Sequence, residues 1–129
     1  MAVAVDGINS VGGVAIPKFL ESLGIKKIKK INCNPDGNFN HNPEPLPENI
    51  TDLCSEVKSG KYQLGIVVDP DADRLVLVDE RGEPFGEEYT LVAAAEYLLS
   101  KNHGASTCSN LSSTLALKNI TEKYGGKYF

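Results

Sequence analysis

No apolar run in this 129-residue sequence is long enough to cross a bilayer. A stretch such as Leu64-Gly65-Ile66-Val67-Val68 falls far short of the roughly 20 residues a spanning helix needs. The first residues, Met-Ala-Val-Ala-Val-Asp, lack a basic segment followed by an apolar one, so no secretory signal is expected there. An excess of positive charge is missing as well. The net charge is −4 and the isoelectric point near 5.1, which leaves no broad basic surface to displace the counterions of a nucleic acid. Cysteine is scarce: Cys33, Cys54 and Cys108 lie far apart, none forms a CxxC pair, and an odd number leaves one unpaired. Neither a zinc site nor a disulfide framework is signalled, and free thiols in a reducing, cytoplasmic setting are expected. Internal repeats and low-complexity segments are absent. With 41% hydrophobic and 23% charged residues, the chain has the make-up of one globular domain with a real core.

Along the chain the pattern alternates strand and helix. Ala2–Val5 is a short apolar run halted by Asp6-Gly7. After Gly12-Gly13, the positions Val14, Ile16, Phe19, Leu20 and Leu23 recur at helical spacing, and Gly24 is placed to end that helix. Lys26–Asn32 suits a second strand. From Asn34 to Glu48 prolines and turn residues exclude both helix and central strand. Loops this long inside a compact domain are often functional or interface-forming. Pro47-Glu48 is expected to open a helix carrying Ile50, Leu53, Cys54 and Val57, ended by Gly60. Leu64–Val68 and Leu75–Val78 read as strands on either side of an acidic loop, and Asp79–Pro84 as a polar turn. Glu87–Ser100 is helical, Ser106–Leu111 a weak strand. Ser112 or Ser113 is expected to cap a last helix that ends at Gly125-Gly126. Lys127-Tyr128-Phe129 then starts a further strand, the pattern expected of a boundary inside a longer protein. The expected architecture is α/β, a three-layer α/β/α domain with a mixed, mostly parallel sheet.

The chemistry concentrates in Asp69-Pro70-Asp71-Ala72-Asp73-Arg74. Three carboxylates at alternate positions repel one another and raise each other's pKa unless a cation sits among them. Oxygen ligands from short aspartates suit a hard ion, Mg²⁺ first. Pro70 stiffens the loop, and small Ala72 lets the backbone curl so that the carboxylates converge. The guanidinium fork of Arg74 beside a metal suits a phosphate oxygen. Other readings compete. An acidic turn with no ligand is the plainest. A calcium EF-hand also begins DxDxD, but it needs glycine where Arg74 stands and helices where strands flank the loop. A phosphatase of haloacid-dehalogenase type uses an aspartate in a DxD at a strand end, yet the downstream partners it needs do not stand out. A non-catalytic Mg²⁺ or Ca²⁺ module is the remaining alternative.

Gly65-Ile66-Val67-Val68-Asp69-Pro70-Asp71-Ala72-Asp73-Arg74-Leu75 resembles the metal loop of the α-D-phosphohexomutases, the superfamily of phosphoglucomutases, phosphomannomutases and phosphoglucosamine mutases. Asp6 to Gly13, Asn42-Pro43-Glu44-Pro45, Asp79-Glu80-Arg81-Gly82-Glu83-Pro84 and Tyr124-Gly125-Gly126 stand in the order of that family's second domain. The resemblance covers nearly the whole chain. It implies residues 1–104 as the second, metal-binding domain. Residues 105–129 are then a truncated start of the third domain or the last strand and helix of the same one. It implies an enzyme of four domains that interconverts hexose 1-phosphate and hexose 6-phosphate through a phosphoserine and a bisphosphate intermediate. Asp69, Asp71 and Asp73 are then the Mg²⁺ ligands, and Arg74 is the catalytic charge partner near the phosphoryl group. Implied partners are the remaining domains of the parent enzyme and a hexose phosphate or bisphosphate, with no nucleic acid and no membrane. The family's serine loop is missing: His41-Asn42-Pro43 is similar to its tail, but Asn40 stands where serine is needed. The sugar-recognition segment and the phosphate-binding loop of the later domains are missing too, and Leu115 stands where relatives often carry Arg. This chain alone is therefore expected to be inactive.

Weaker signals read more plainly. Gly7–Gly13 lies between strand and helix like a phosphate cradle, but lacks the Lys and Ser/Thr of a P-loop, so a tight turn is expected. Lys26–Lys30 suits a solvated strand that discourages edge pairing. His41 is expected to be a loop hydrogen-bonder and His103 a helix-end residue.

Overall fold

The computed structural model describes residues 1–129 and divides into two compact units, Met1–Phe85 and Gly86–Phe129. In the first unit, β1 (Ala2–Asp6), β2 (Lys27–Ile31), β3 (Leu64–Val68) and β4 (Leu75–Val78) form one sheet in the order β2-β1-β3-β4. β1 runs parallel to both β2 and β3, and β4 alone is antiparallel.

β1 is central and wholly buried, which is why it reads as an unbroken apolar run instead of an alternating one. Its odd and even positions feed different layers. Val3 and Val5 join Ile66 and Leu20, with Ile16 alongside, under α1 (Gly12–Ser22). Ala4 joins Val67, Val76 and Val78 on the opposite face, covered by Ile50 together with Leu53 and Val57. Leu53 belongs to α2 (Thr51–Glu56), and Val57 opens a wide turn over Val57–Lys61. The mixed, mostly parallel sheet thus lies between two helical layers, as the sequence implies. β2 is an edge strand whose Lys27, Lys29 and Lys30 are exposed while Ile28 and Ile31 are half-buried. Charged side chains on such an edge oppose strand addition.

α1 ends as Gly24 requires. The Gly24 N–H donates to Glu21 O at 3.0 Å and the Ile25 N–H to Leu20 O at 3.0 Å, with Gly24 at φ +84°. These are the paired bonds of a Schellman motif, for which a glycine carries no steric penalty. α2 starts later than the sequence suggests. Pro47–Asn49 is a turn closed by Asn49 N–H to Leu46 O at 2.9 Å, and the Asn49 side chain donates to Glu44 O at 2.9 Å. Those bonds draw the backbone back toward the proline-rich loop, so helical geometry begins only at Thr51.

The second unit pairs α3 (Glu87–Lys101) with α4 (Leu115–Lys123) around Ala95, Leu99 and Leu117. The weak strand at Ser106–Leu111 reduces to one parallel bridge, Thr107 to Tyr128, held by Thr107 N–H to Lys127 O and Phe129 N–H to Thr107 O at 3.0 Å each. The cap of α4 is Thr114, not Ser112 or Ser113: its hydroxyl accepts from Ala116 N–H at 3.3 Å. Ser112 and Ser113 sit one step too early because the side chain of Asn110 already bonds both, at 3.0 and 3.3 Å. His103 stands edge-on to the Tyr124 ring, 5.4 Å between centroids.

Candidate metal centre

The acidic loop joins β3 to β4 at the carboxyl end of β3, the end where open α/β sheets hold ligands. The register pairs Val68 with Leu75, so the six residues between them must reverse the chain within one strand width. Ala72 N–H donates to Asp69 O at 3.0 Å, closing a turn, and Ala72 itself lies at φ +60°. A residue bearing a β-carbon enters that left-handed region at a cost of about 1 kcal/mol or more. The small side chain of Ala72 keeps that cost at its lower end, and the curl brings the carboxylates round to one side. Oxygen atoms of Asp69, Asp71 and Asp73 all lie within 4.8 Å of one another.

The three aspartates are not equivalent. Asp69 is buried, while Asp71 and Asp73 are exposed. Burial pushes the Asp69 carboxyl up. The Arg74 backbone N–H, the Arg74 guanidinium and a hydrogen bond with Asp73 together outweigh it and hold Asp69 below the ordinary carboxylate range. The contacts are Arg74 N–H to Oδ1 at 3.1 Å and Arg74 Nε to Oδ2 at 3.0 Å. Asp73 moves the other way, raised first by its hydrogen bond with Asp69, then by the charges of Asp71 and Asp69. One carboxylate is thus kept charged by Arg74 and another is pressed toward its proton by its neighbours. Relief of that repulsion is what a bound cation would supply. Oxygen-only donors on one short loop, two of them open to solvent, fit a hard ion that retains waters, such as Mg²⁺. All four residues singled out from the sequence, Asp69, Asp71, Asp73 and Arg74, come together here.

The sequence singled out the proline-rich segment but not the two features that join it to this site. An open hollow is lined by the acidic loop and also by Pro43 and Glu44, from the proline-rich segment. That segment is tied down by a polar web around Asp6, a buried carboxylate at the carboxyl end of β1. Asp6 accepts from Ile8 N–H at 3.0 Å, from Asn32 Nδ2 at 3.1 and 3.2 Å, and from His41 Nε2 at 3.1 Å. Asn9 extends the web, donating from Nδ2 to Asn38 O at 2.8 Å and accepting Asn34 N–H at 3.2 Å. Ile8, Asn9 and Asn32 all have positive φ, a concentration of backbone strain that marks functional regions. His41 is the loop hydrogen-bonder expected from the sequence, but its partner Asp6 carried no local signal beyond standing at the end of a strand.

The glycine turn from Gly7 to Gly13 is accounted for by packing. A β-carbon on Gly7 would stand 2.3 Å from the Gly13 backbone, and one on Gly13 would stand 2.6 Å from Cys33 Cα. These glycines let backbone touch backbone beneath the web, as a tight turn does.

The family model described as "Phosphoglucomutase/phosphomannomutase, alpha/beta/alpha domain II" matches residues 1–82. A phosphoglucomutase of Neisseria meningitidis serogroup B is 36% identical over 129 residues, 98% of this chain and 28% of that protein. A phosphomannomutase/phosphoglucomutase of Pseudomonas aeruginosa is 37% identical over the same shares. Among solved structures, a phosphoglucomutase/phosphomannomutase family protein of Burkholderia thailandensis superposes with a TM-score of 0.89 at 30% identity, covering 100% of this chain and 28% of that one. The chain therefore spans a little over a quarter of the length of these relatives. With a three-layer fold, an acidic loop at the end of β3 and this degree of likeness, the chain belongs to the phosphoglucomutase/phosphomannomutase family, whose α/β/α domain II it matches.

Proposed function

We propose that this chain is the Mg²⁺-binding domain of a phosphohexomutase, an intramolecular phosphotransferase that interconverts hexose 1-phosphate and hexose 6-phosphate through an enzyme phosphoserine and a bisphosphate intermediate. The observation that carries the reading is the convergence of Asp69, Asp71 and Asp73 within 4.8 Å on a loop whose next residue, Arg74, is fastened to the buried Asp69. Residues 1–104 are assigned to the second domain of the parent enzyme and 105–129 to the start of the third or the end of the second. The remaining domains and a hexose phosphate or bisphosphate are its partners, and the setting is cytoplasmic.

Asp69, Asp71 and Asp73 would hold the ion. When bound, Mg²⁺ offsets the negative charge on a transferring phosphoryl group, where most of the catalysis of such transfers resides. The chain's own part is orientation. Asp69 takes two hydrogen bonds from Arg74, through the backbone N–H and Nε, which fixes the plane of the guanidinium at the rim of the hollow. A planar cation fixed there is suited to a phosphate oxygen. Asn40 stands where the family's nucleophile loop would need a serine, so turnover is assigned to the assembled parent and none to this chain alone.

The test is a titration of Mg²⁺ into the isotope-labelled chain followed by NMR, wild type against Asp71→Ala. Saturable shifts confined to the acidic loop and abolished by the substitution are expected, with weak binding, on the order of millimolar, because so few ligands are present. No localised response at tens of millimolar, about ten times that, would defeat the reading. Hydrolysis of a generic phosphate ester by the chain would point to a phosphatase instead.

The same titration has a pH dependence with a definite sign. Asp73 is raised above the ordinary aspartate range by its hydrogen bond with Asp69 and by its neighbours' charges, so on acidification it takes up its proton early. Metal and proton compete for that oxygen. Mg²⁺ affinity is therefore expected to begin falling at a pH above the usual aspartate value of about 3.9 and to recover fully on return to neutrality. In Asp73→Asn, the part of the fall that begins above the ordinary range should vanish.

A further inference from the structure

Asp6 is a buried carboxylate that the proposed chemistry does not use. The register of the sheet explains why it matters. β1 and β3 are parallel neighbours with Asp6 opposite Val67, so Asp6 and Asp69 both end their strands on the same edge of the sheet. Asp69 anchors the acidic loop through Arg74, whereas Asp6 anchors the facing segment. Its carboxylate receives Ile8 N–H, Asn32 Nδ2 and His41 Nε2, and His41 lies two residues before Pro43, which with Glu44 lines the hollow of the acidic loop.

The His41 ring is held by acceptors at both ends. Nε2 is 3.1 Å from Asp6 Oδ2 and Nδ1 is 2.8 Å from Asn42 O. A neutral imidazole has one N–H, so it satisfies one of these contacts and sets a lone pair against oxygen at the other. The imidazolium satisfies both. The other groups bonded around Asp6 and His41 are uncharged: Asn32, which receives the Asn40 amide at 2.5 Å, the Ile8 N–H and the Asn42 carbonyl. Asp36, another carboxylate of the same segment, is engaged with Asn34 Nδ2 and the Asn38 N–H, both at 2.8 Å. Asp6 is therefore the only charged partner bonded to the ring.

We propose that Asp6 is a positioning residue of this site, which through His41 fixes where Pro43 and Glu44 stand beside the acidic loop. The proposal rests on the metal-site reading for its consequence in binding, but not for the placement itself. Asp6 touches neither metal ligand nor phosphate. It acts at one remove, through the hydrogen bond to His41 Nε2. The half-buried ring against a buried carboxylate suits this role: His41 is 17% exposed and Asp6 1% at their side chains, so the contact is only partly screened.

The experiment uses the whole chain, isotope-labelled, as wild type and as His41→Gln. Gln places an amide donor near the position of Nε2 but cannot bridge Asp6 and the Asn42 carbonyl as the rigid ring does. It is preferred to Asp6→Ala, which strips a buried acceptor from four contacts and risks the fold. Measured at one pH, the amide resonances of Asn38–Glu44 and of Asp71–Arg74 are expected to be displaced together in His41→Gln relative to wild type, while the signals of β1, β3 and α1 stay in place. Mg²⁺ binding should weaken in the variant by up to about tenfold, the usual scale for an outer-shell partner. Displacement confined to Asn38–Glu44, with the Asp71–Arg74 signals and the Mg²⁺ response unchanged, would overturn the proposal and leave the contact a plain strut. If wild type shows no Mg²⁺ response but His41→Gln still displaces the Asp71–Arg74 signals, the positioning stands and the metal reading fails.

Discussion

Gly13→Ala is expected to cost the first unit about 3 kcal/mol of stability or more. A β-carbon at residue 13 would stand 2.6 Å from Cys33 Cα and 3.0 Å from Cys33 C. Backbone atoms cannot swing aside as a side-chain end can, so either α1 or the segment after β2 must retreat. α1 covers Val3, Val5 and Ile66 through Leu20, and a shift of that helix opens the layer along its length. Overpacking of a close-fitted interior typically costs about 1 to 3 kcal/mol. Contact with the Cys33 backbone, which cannot rotate away, lies at or beyond the upper end, a large part of the stability of an ordinary domain. Gly24→Ala is the control. Nothing lies within 4 Å of a β-carbon there, yet its φ of +84° disfavours a side chain, so a loss near 1 kcal/mol is expected. Thermal or urea unfolding of the two variants against wild type separates the mechanisms. Equal losses would mean that the close approach at Cys33 yields more readily than the geometry allows.

Asp69→Ala is expected to abolish Mg²⁺ binding, with affinity falling on the order of a hundredfold or more, beyond the range set for outer-shell partners. The substitution removes a ligand and also the two carboxylate oxygens of Asp69 that accept from Arg74. The loop loses these two hydrogen bonds together with its one buried carboxylate. Asp69→Asn distinguishes the two parts. The amide oxygen can still accept the Arg74 N–H, so the loop should keep its wild-type amide pattern without metal while affinity falls for want of a charge. Calorimetry of Mg²⁺ binding with NMR of the metal-free loop measures both. If Asp69→Asn scrambles the metal-free loop as thoroughly as Asp69→Ala, charge and not hydrogen bonding holds Arg74 in place.

Much of the site was legible in the sequence because it is local. Asp69, Asp71, Asp73 and Arg74 sit within six residues between two apolar runs, so spacing alone placed them on one loop between adjacent strands. Helix ends that rest on one glycine, such as Gly24, were legible for the same reason. The Asp6 web was not, since its members come from β1, the segment after β2 and the proline-rich loop, with Asp6 and His41 35 positions apart. No periodicity links them. The cap of α4 was misplaced for a subtler reason: Asn110 engages Ser112 and Ser113, and serine, threonine and asparagine compete for such roles on nearly equal terms. The start of α2 moved because Asn49 bonds back to Leu46 and Glu44, an Asx-type contact that propensity does not weigh.

The order of the strands carries a kinetic consequence. β3 and β4 are neighbours in sequence and pair antiparallel around the acidic loop. β1 must find β3 across a separation typified by Ala2 and Gln63, 61 positions apart. Local pairings close quickly, on the order of 1 to 10 μs for a hairpin, while distant parallel ones wait on the entropy of closing a long loop. Of the two carboxylates that end their strands on this edge, Asp69 is therefore set on a turn that can form early. Asp6 reaches its partners only when the sheet closes. Substitutions at the β3–β4 turn should register mainly in the folding rate, and those around Asp6 mainly in the rate of unfolding.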